Sequence, residues 1–377
     1  MKTGYENIQA NIPNFGSLNI FFDAGGKVEQ EGYRGISHLA EHLICKAYDN
    51  VLENLDAHGI EYNASTGENL VNFYFNGFNK HLKKFESEFI KIFDFIPSQE
   101  DFEKEKKIVL AEYTDTFSSP QALFLNIHRK YLNSFTAIGF RKDIEEITYK
   151  QYVDFQKTFF KNPSYILRVG DTDFSEYYSQ KTYTDVVEKV YELKDYGNEF
   201  LEDDRKTRKS FVANWQLSTV DEYVLEFLMS YFGNGLSSPL MKEFRENLGM
   251  VYYVQFASSK VGKDNLVAIC YECEPKDRGT LQKALKNIFK KVDDYITSER
   301  YENVIMNLQT TIDKSEIFNH KNNYSRMKHL DYTGDVLNYH TFFSGYSLEK
   351  FRNDAKKFAK EFLKNYKIAE SGRKMKV

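Results

Sequence analysis

Two stretches of the chain repeat one pattern of apolar and polar positions. Tyr62 to Phe78 reads as strand and is followed by apolar residues at Leu82, Phe85, Phe89, Phe93 and Ile96, the 3.6-residue spacing of a helix laid on a core. A second helix is expected after Pro97, with Ser98 as N-cap and Asp101 three residues on, a variant of the capping box. Val251 to Cys273 again reads as strand and precedes a helix carrying Leu281, Leu285, Ile288, Phe289, Val292 and Ile296, with another helix from Ser298. The first helices start at Leu82 and Leu281 and the second at Ser98 and Ser298, offsets of 199 and 200. Matching order at a nearly constant offset points to a duplicated α+β unit. Between the halves, Asp195 to Ser210 is polar and charge-dense, with Arg205, Lys206, Arg208 and Lys209 beside Glu202, Asp203 and Asp204. It reads as a solvated linker, residues 195–210, joining domains at 1–194 and 211–377.

Composition narrows the class. The chain has 377 residues, enough for two domains each with its own core. Lys and Arg total 51 against 55 Asp and Glu, and the net charge of −4 supplies no general drive toward nucleic acid or an anionic membrane. With 32 Phe and 27 Tyr against 6 Pro, a Phe-rich core is expected. No apolar run approaches the ~20 residues of a membrane span. Met1 to Phe15 lacks the apolar centre of a secretory signal, so a cytoplasmic location is expected. Three cysteines, Cys45, Cys270 and Cys273, make no disulfide framework. Cys270-Tyr271-Glu272-Cys273 lacks the second pair that a zinc ribbon needs, and Gly233-x-Gly235 lacks the rest of a phosphate loop. The basic tail Arg373 to Lys376 reads as a frayed terminus.

The chemistry concentrates in Gly35-Ile36-Ser37-His38-Leu39-Ala40-Glu41-His42-Leu43. On a helix His38 and His42 lie one turn apart on one face, so two imidazoles can reach one ion. Glu41 is offset beside them, where a carboxylate can take a proton from an activated water. At this chain's composition the His-x-x-Glu-His pattern is expected by chance fewer than ~0.03 times. Zinc suits imidazole and carboxylate ligands, and a hydrolytic site needs a third protein ligand. The helix after Pro97 offers Glu103, Glu105 and Glu112. Glu105 and Glu112 share one face two turns apart, Glu112 closes the apolar run Ile108 to Ala111, and Glu103 has only lysines beside it.

These runs resemble the pitrilysin/insulinase family of zinc peptidases with the inverted motif (inverzincins), of the half-length, two-domain type of the processing peptidases. The resemblance is carried by Gly32 to His42, Asn63-Ala64-Ser65-Thr66, the Glu105…Glu112 helix, Phe232 to Leu240, and Phe244 to Tyr252. It implies two homologous domains, each a mostly antiparallel sheet with helices packed on one face. It implies His38, His42 and Glu112 as ligands of one zinc per chain, Glu41 as general base, and Glu105 as a carboxylate supporting the ligands. Asn63, Ala64, Ser65 and Thr66 match an edge strand that pairs with the substrate backbone, and Arg245 with Tyr252 matches a pair contacting substrate near the scissile carbonyl. The implied activity is a metalloendopeptidase acting on peptides. Because the family encloses substrate between two such halves, a second chain is implied, as a homodimer or with a related chain, forming a closed chamber. The alternative is a non-catalytic subunit that binds or scaffolds beside a catalytic partner. The interval from His42 to Glu112 is 70 residues, short for the family, with the abbreviation at Ala47 to Leu52. Cys45, on the histidine face, reads as a packed core thiol.

Overall fold

The computed structural model describes residues 4–8, 14–47, 55–68, 70–117, 122, 125, 127, 137–170, 198–202, 209–261, 264–315 and 339–372. The chain divides into two compact units. The first is built on β1 (Gly4–Ile8), β2 (Phe15–Phe22), β3 (Glu61–Thr66), β4 (Val71–Phe78) and β5 (Tyr165–Gly170), in the spatial order β1-β5-β2-β4-β3. All pairs are antiparallel except β1 with β5. Its helices are α1 (Ile36–Cys45), α2 (Asn79–Lys91), α3 (Gln99–Phe117), α4 (Arg141–Glu146) and α5 (Tyr149–Phe159).

Strand alternation decides which face the helices cover. Leu18, Ile20 and Phe22 of β2 and Val71, Phe73 and Phe75 of β4 share one buried cluster with Leu39 and Leu43 of α1, Leu82 and Phe89 of α2, and Phe102 and Val109 of α3. The intervening positions Ser17, Asn19, Asn72 and Asn76 are polar and buried. Asn19 partly satisfies itself by donating to Ser17 Oγ at 2.8 Å. The core is Phe-rich as expected: Phe22, Phe73, Phe93 and Phe160 pack with ring centroids 4.6–6.2 Å apart, at angles from tilted to edge-on.

The second unit repeats the plan. Strands β6 (Glu199–Glu202), β7 (Ser210–Ser218), β8 (Val254–Val261), β9 (Asp264–Cys273) and β10 (Lys367–Gly372) lie in the order β6-β10-β7-β9-β8, with β6 parallel to β10 and the rest antiparallel. Substituting each strand by its counterpart reproduces the first sheet, pairing for pairing, so the duplication read from the helix offsets extends to topology. The longer helices of the unit are α6 (Glu222–Phe232), α7 (Arg278–Lys290), α8 (Ser298–Ser315) and α9 (Leu348–Asn365). No helix among the described residues is long and apolar enough to cross a membrane.

Several expectations are corrected. The stretch 195–210 is not bare linker: Glu199–Glu202 is an edge strand in register with Ala369–Gly372, and Ser210 already pairs with Cys273. At four residues, Glu-Phe-Leu-Glu, the strand is too short to show the alternation that would have marked it. Ile127, assigned from sequence to the first domain, groups with the second unit, on Trp215 and Leu266. The helix expected to reach Ile96 ends at Lys91, where Asp94 N and Phe95 N donate three residues back to the Lys91 and Ile92 carbonyls at 3.1 and 3.3 Å, and the Phe93 and Phe95 carbonyls beyond it accept from Gln156 Nε2 at 3.1 and 2.8 Å. Its counterpart ends at Lys290, and Val292 packs from a tight turn. Ser98 caps α3 as expected, accepting from Asp101 N at 3.1 Å. Helix α8 starts at Ser298 as expected, capped by Thr297, whose Oγ1 accepts from Arg300 N at 3.3 Å. Cys270 and Cys273, free thiols on β9, face opposite sides of their sheet in separate clusters, and burial raises both, Cys273 to about 12. The Ala47 to Leu52 abbreviation and the Arg373 to Lys376 tail lie outside the described residues, Ala47 excepted.

Candidate metal centre

The centre is built from one helix that is apolar on one side and one that carries carboxylates on its buried stripe. On α1, Ile36, Leu39, Ala40, Leu43 and Ile44 fill the core, which turns His38 and His42 to the other side with their rings edge-on, centroids 4.7 Å apart. On α3, Phe102, Glu105, Val109 and Glu112 follow one stripe, the first three buried and Glu112 half-exposed at its end. His38 Nε2 and His42 Nε2 are 3.2 Å apart, and Glu112 Oε2 is 3.6 and 3.3 Å from them. Ligands at the usual ~2.0–2.1 Å from zinc in tetrahedral geometry stand about 3.3 Å from one another. The triangle therefore fits one such ion, and among the described residues it is the one group of three ligand-bearing side chains that can hold a metal. Burial, with His42 beside it, pushes His38 down to about 3, so its imidazole is neutral and open to a metal at physiological pH.

The surrounding residues fix these three. Glu105 Oε2 lies 3.5 Å from His42 Nδ1, which directs His42 Nε2 into the triangle, and Glu105 Oε1 meets Lys46 Nζ at 3.2 Å. Glu41 is buried, and its Oε2 accepts from Thr66 Oγ1 at 2.5 Å. Burial raises the Glu41 carboxyl above the ordinary range and Glu112 adds to this, while Thr66 and His42 oppose it. The contact with Thr66 follows from strand alternation: Tyr62 and Ala64 of β3 pack on the core cluster, so Thr66 shares their face. Strand β3 is an edge of its sheet, and Asn63 to Thr66 line a cleft of about 420 Å³ with His38, Glu41, His42, Glu112, Ala137 and Ile138. Cys45 is half-buried against the core cluster. Burial lifts its thiol well above the ordinary range, and Glu41 and Glu105 lift it further, so it stays protonated. Glu105→Gln is expected to lower zinc affinity by about 10–100-fold, as loss of a ligand's outer partner does. Competition against a chromophoric chelator measures it, and unchanged affinity would deny Glu105 that role.

The first unit thus brings together His38, Glu41, His42, Glu105, Glu112 and Asn63 to Thr66, while Arg245 and Tyr252 belong to the second. There a π-helical turn (Lys242–Asn247) carries Arg245, whose guanidinium lies 5.2 Å from the ring centroid of Tyr252, itself 78% exposed. Arg300 braces the preceding loop by donating to the carbonyls of Tyr231 and Ser237. The helix equivalent to α1 is α6, whose Val224, Leu225, Phe227, Leu228, Met229, Tyr231 and Phe232 are all buried. Its other face carries Tyr223, Glu226 and Ser230, and the helix has no histidine to offer as a ligand.

Sequence reasoning missed the Thr66 contact, the Ala137–Ile138 wall and Glu29. The missing signal for Glu29 was negative: the N-cap of α1 is Gly35, which has no capping side chain, so the first amides of the helix need an acceptor from elsewhere.

The first unit thus sets two histidines on one helix and a carboxylate on a second beside an edge strand, a group that could hold one metal ion. The model of the insulinase family (peptidase family M16) matches residues 9–137, that of the peptidase M16 inactive domain matches residues 174–308, and the chain belongs to the M16 peptidase family. It is 22% identical over 347 residues to an uncharacterized zinc protease of Rickettsia bellii, covering 84% of this chain and 82% of that one. It is 26% identical over 165 residues to the human mitochondrial-processing peptidase subunit beta, 40% of this chain and 33% of that protein. The fold is similar to that of a protease from Helicobacter pylori, with a TM-score of 0.76 and 16% identity over 98% of this chain and 97% of that one.

Proposed function

We propose that this protein is a zinc-dependent metalloendopeptidase that hydrolyses peptide bonds in peptides or unfolded segments. The observation that carries the reading is the His38–His42–Glu112 triangle, with edges of 3.2–3.6 Å, lining one cleft with the buried carboxylate of Glu41. Zinc held there would polarise the scissile carbonyl and make a water available as nucleophile near neutral pH. Glu41, its carboxyl raised by burial, takes the proton of the attacking water and passes it to the leaving amine. Thr66 holds that carboxylate in place through its hydroxyl. The free edge of β3 at Asn63 to Thr66 receives the substrate backbone as an added strand, which aligns one peptide bond over the centre. Glu105 keeps His42 in the tautomer that offers Nε2.

Arg245 and Tyr252 contact substrate near the scissile carbonyl, and the working particle pairs this chain with another copy or a related chain. Relatedness to a processing peptidase subunit supports the pairing. Metal analysis with a quenched fluorescent peptide assay tests the reading. Bound zinc with chelator-sensitive cleavage supports it, zinc without cleavage removes the peptidase, and neither leaves the scaffold subunit. Mixing Glu41→Gln with Arg245→Ala protein tests the pairing. Recovered cleavage supports service between chains, and none despite subunit exchange argues for service within one.

A further inference from the structure

Glu29 is a buried carboxylate that the proposed mechanism leaves unused. It follows the short turn Gly26–Val28, and its side chain reaches back over the start of α1, the helix that carries His38, Glu41 and His42. Its Oε2 accepts from Gly35 N at 2.8 Å and its Oε1 from Ser37 N at 2.9 Å. These are amides that a helix beginning at glycine cannot cap by itself. Ser37 is fixed from its other side, since its Oγ accepts from Gly25 N at 3.1 Å.

The turn between Glu29 and α1 is held as well. Asp143 of α4 accepts from Gly32 N and Arg34 N, both at 3.2 Å. Gly139 backs directly on Gly35: it lies at φ +67°, and a Cβ added there would stand 2.3 Å from the Arg34 oxygen. His38 is the residue after Ser37, so the position of the first ligand follows from this clamp.

We propose that Glu29 is a positioning residue of the metal centre, its charged carboxylate fixing the first turn of α1, and with it His38, through the two amide hydrogen bonds to Gly35 and Ser37. A glutamine offers one acceptor oxygen and places an amide group against the second N–H, so one of the two bonds is lost. A proton on either carboxyl oxygen has the same consequence.

The charge is costly where it sits. Burial raises Glu29 to about 7, while the Gly35 and Ser37 amides, the Ser37 hydroxyl and the Arg34 guanidinium lower it. The charged groups around it are thus Arg34 on the intervening turn and, holding that turn from α4, Asp143. A folded value above that of an exposed glutamate means that Glu29's contribution to global stability is present below the unfolded pKa and lost as pH rises through about 7. Stability alone therefore favours a neutral group here, and what the charge supplies is the local geometry of α1.

The proposal deepens the metallopeptidase reading and rests on it for catalysis, but the clamp can be read without activity. The first experiment is amide hydrogen exchange on metal-free wild-type and Glu29→Gln protein from pH 5.5 to 8.5, corrected for intrinsic rates. The α7 segment Arg278–Lys290 serves as internal reference. In wild type, an opening that frays Gly35 to His38 while Glu29 stays buried removes the two amides that lower its pKa, so protection of this segment is expected to rise as pH passes about 7. In Glu29→Gln it is expected to be lower by about tenfold and independent of pH, with the reference segment unchanged. Equal protection in the two proteins, or the same pH dependence in both, overturns the clamp.

The second experiment is zinc affinity by chelator competition at pH 6 and 8. The wild-type advantage over Glu29→Gln should be about tenfold at pH 8 and shrink at pH 6, as for an outer partner of a ligand. Glu29→Asp, charged but shorter, should recover part of the affinity at pH 8. An advantage that does not change with pH counts against the charge as the cause. If wild type cleaves no peptide while the exchange result holds, the peptidase reading falls and the clamp stands. Cleavage by wild type with unaltered exchange in Glu29→Gln has the opposite meaning.

Discussion

Glu41→Gln is expected to lower kcat for peptide cleavage by about 10²–10⁴-fold while the protein keeps one zinc per chain. Glutamine matches glutamate in shape and retains an oxygen for the Thr66 hydroxyl, so the side chain stays where Glu41 Oε2 now accepts at 2.5 Å. What disappears is the capacity to take a proton. Glu41 is buried beside three groups of the metal triangle but is not one of them, and metal content should therefore not follow activity. Fluorescent peptide turnover measured together with zinc content separates the two effects. Near-wild-type cleavage by a zinc-loaded Glu41→Gln protein removes Glu41 as the base, and loss of zinc with loss of activity would make it a structural residue instead.

Glu112→Gln should abolish cleavage by a different route, through the metal. Oε2 of Glu112 is the third corner of the triangle and the only carboxylate in it. Without its charge two imidazoles remain, and zinc affinity should fall by more than the roughly 10–100-fold that removal of an outer partner costs. Because the Glu112 side chain is 48% exposed at the end of its stripe, the metal-free protein should fold as wild type does. Thermal unfolding reads this directly. Added zinc is expected to raise the transition of wild type, since a ligand that binds only the folded state stabilises it, and to leave that of Glu112→Gln in place. A variant that binds zinc as tightly as wild type would place the third ligand elsewhere.

Much of this site was legible before the fold was. His38, Glu41 and His42 lie within five consecutive residues, so helix geometry alone sets them on one side, and local spacing is what a sequence displays best. Glu112 is 70 residues beyond His42; spacing made it one of three candidate carboxylates, and only the family resemblance singled it out as the third ligand, because no periodicity relates two helices to each other. Thr66 was legible as part of a strand but not as the partner of Glu41, since a hydrogen bond spanning 25 residues depends on how the β3 edge meets α1. Glu29 had no signal of its own. Its role depends on a chain reversal between Gly26 and Gly35 that returns the carboxylate to the helix it precedes. The strand Glu199–Glu202 was hidden by its shortness inside a charge-dense stretch, for an edge strand is defined by its neighbour, here β10 some 170 residues later, and not by apolar alternation.

The amino-acid sequence by itself determined the duplication, the helix periods, the Phe-rich core and the helix that offers two imidazoles and a carboxylate, because each is set by side chains a few residues apart. Only the tertiary structure decided that Glu112 stands 3.3–3.6 Å from both imidazoles, that Glu105 and Thr66 hold His42 and Glu41, and that Glu29 closes the start of α1. These contacts join segments brought together by burial of the apolar faces of β2, β4, α1 and α3 in one core. Burial is roughly indifferent to which polar groups it carries along, so the chemistry of the cleft was fixed where the core closed.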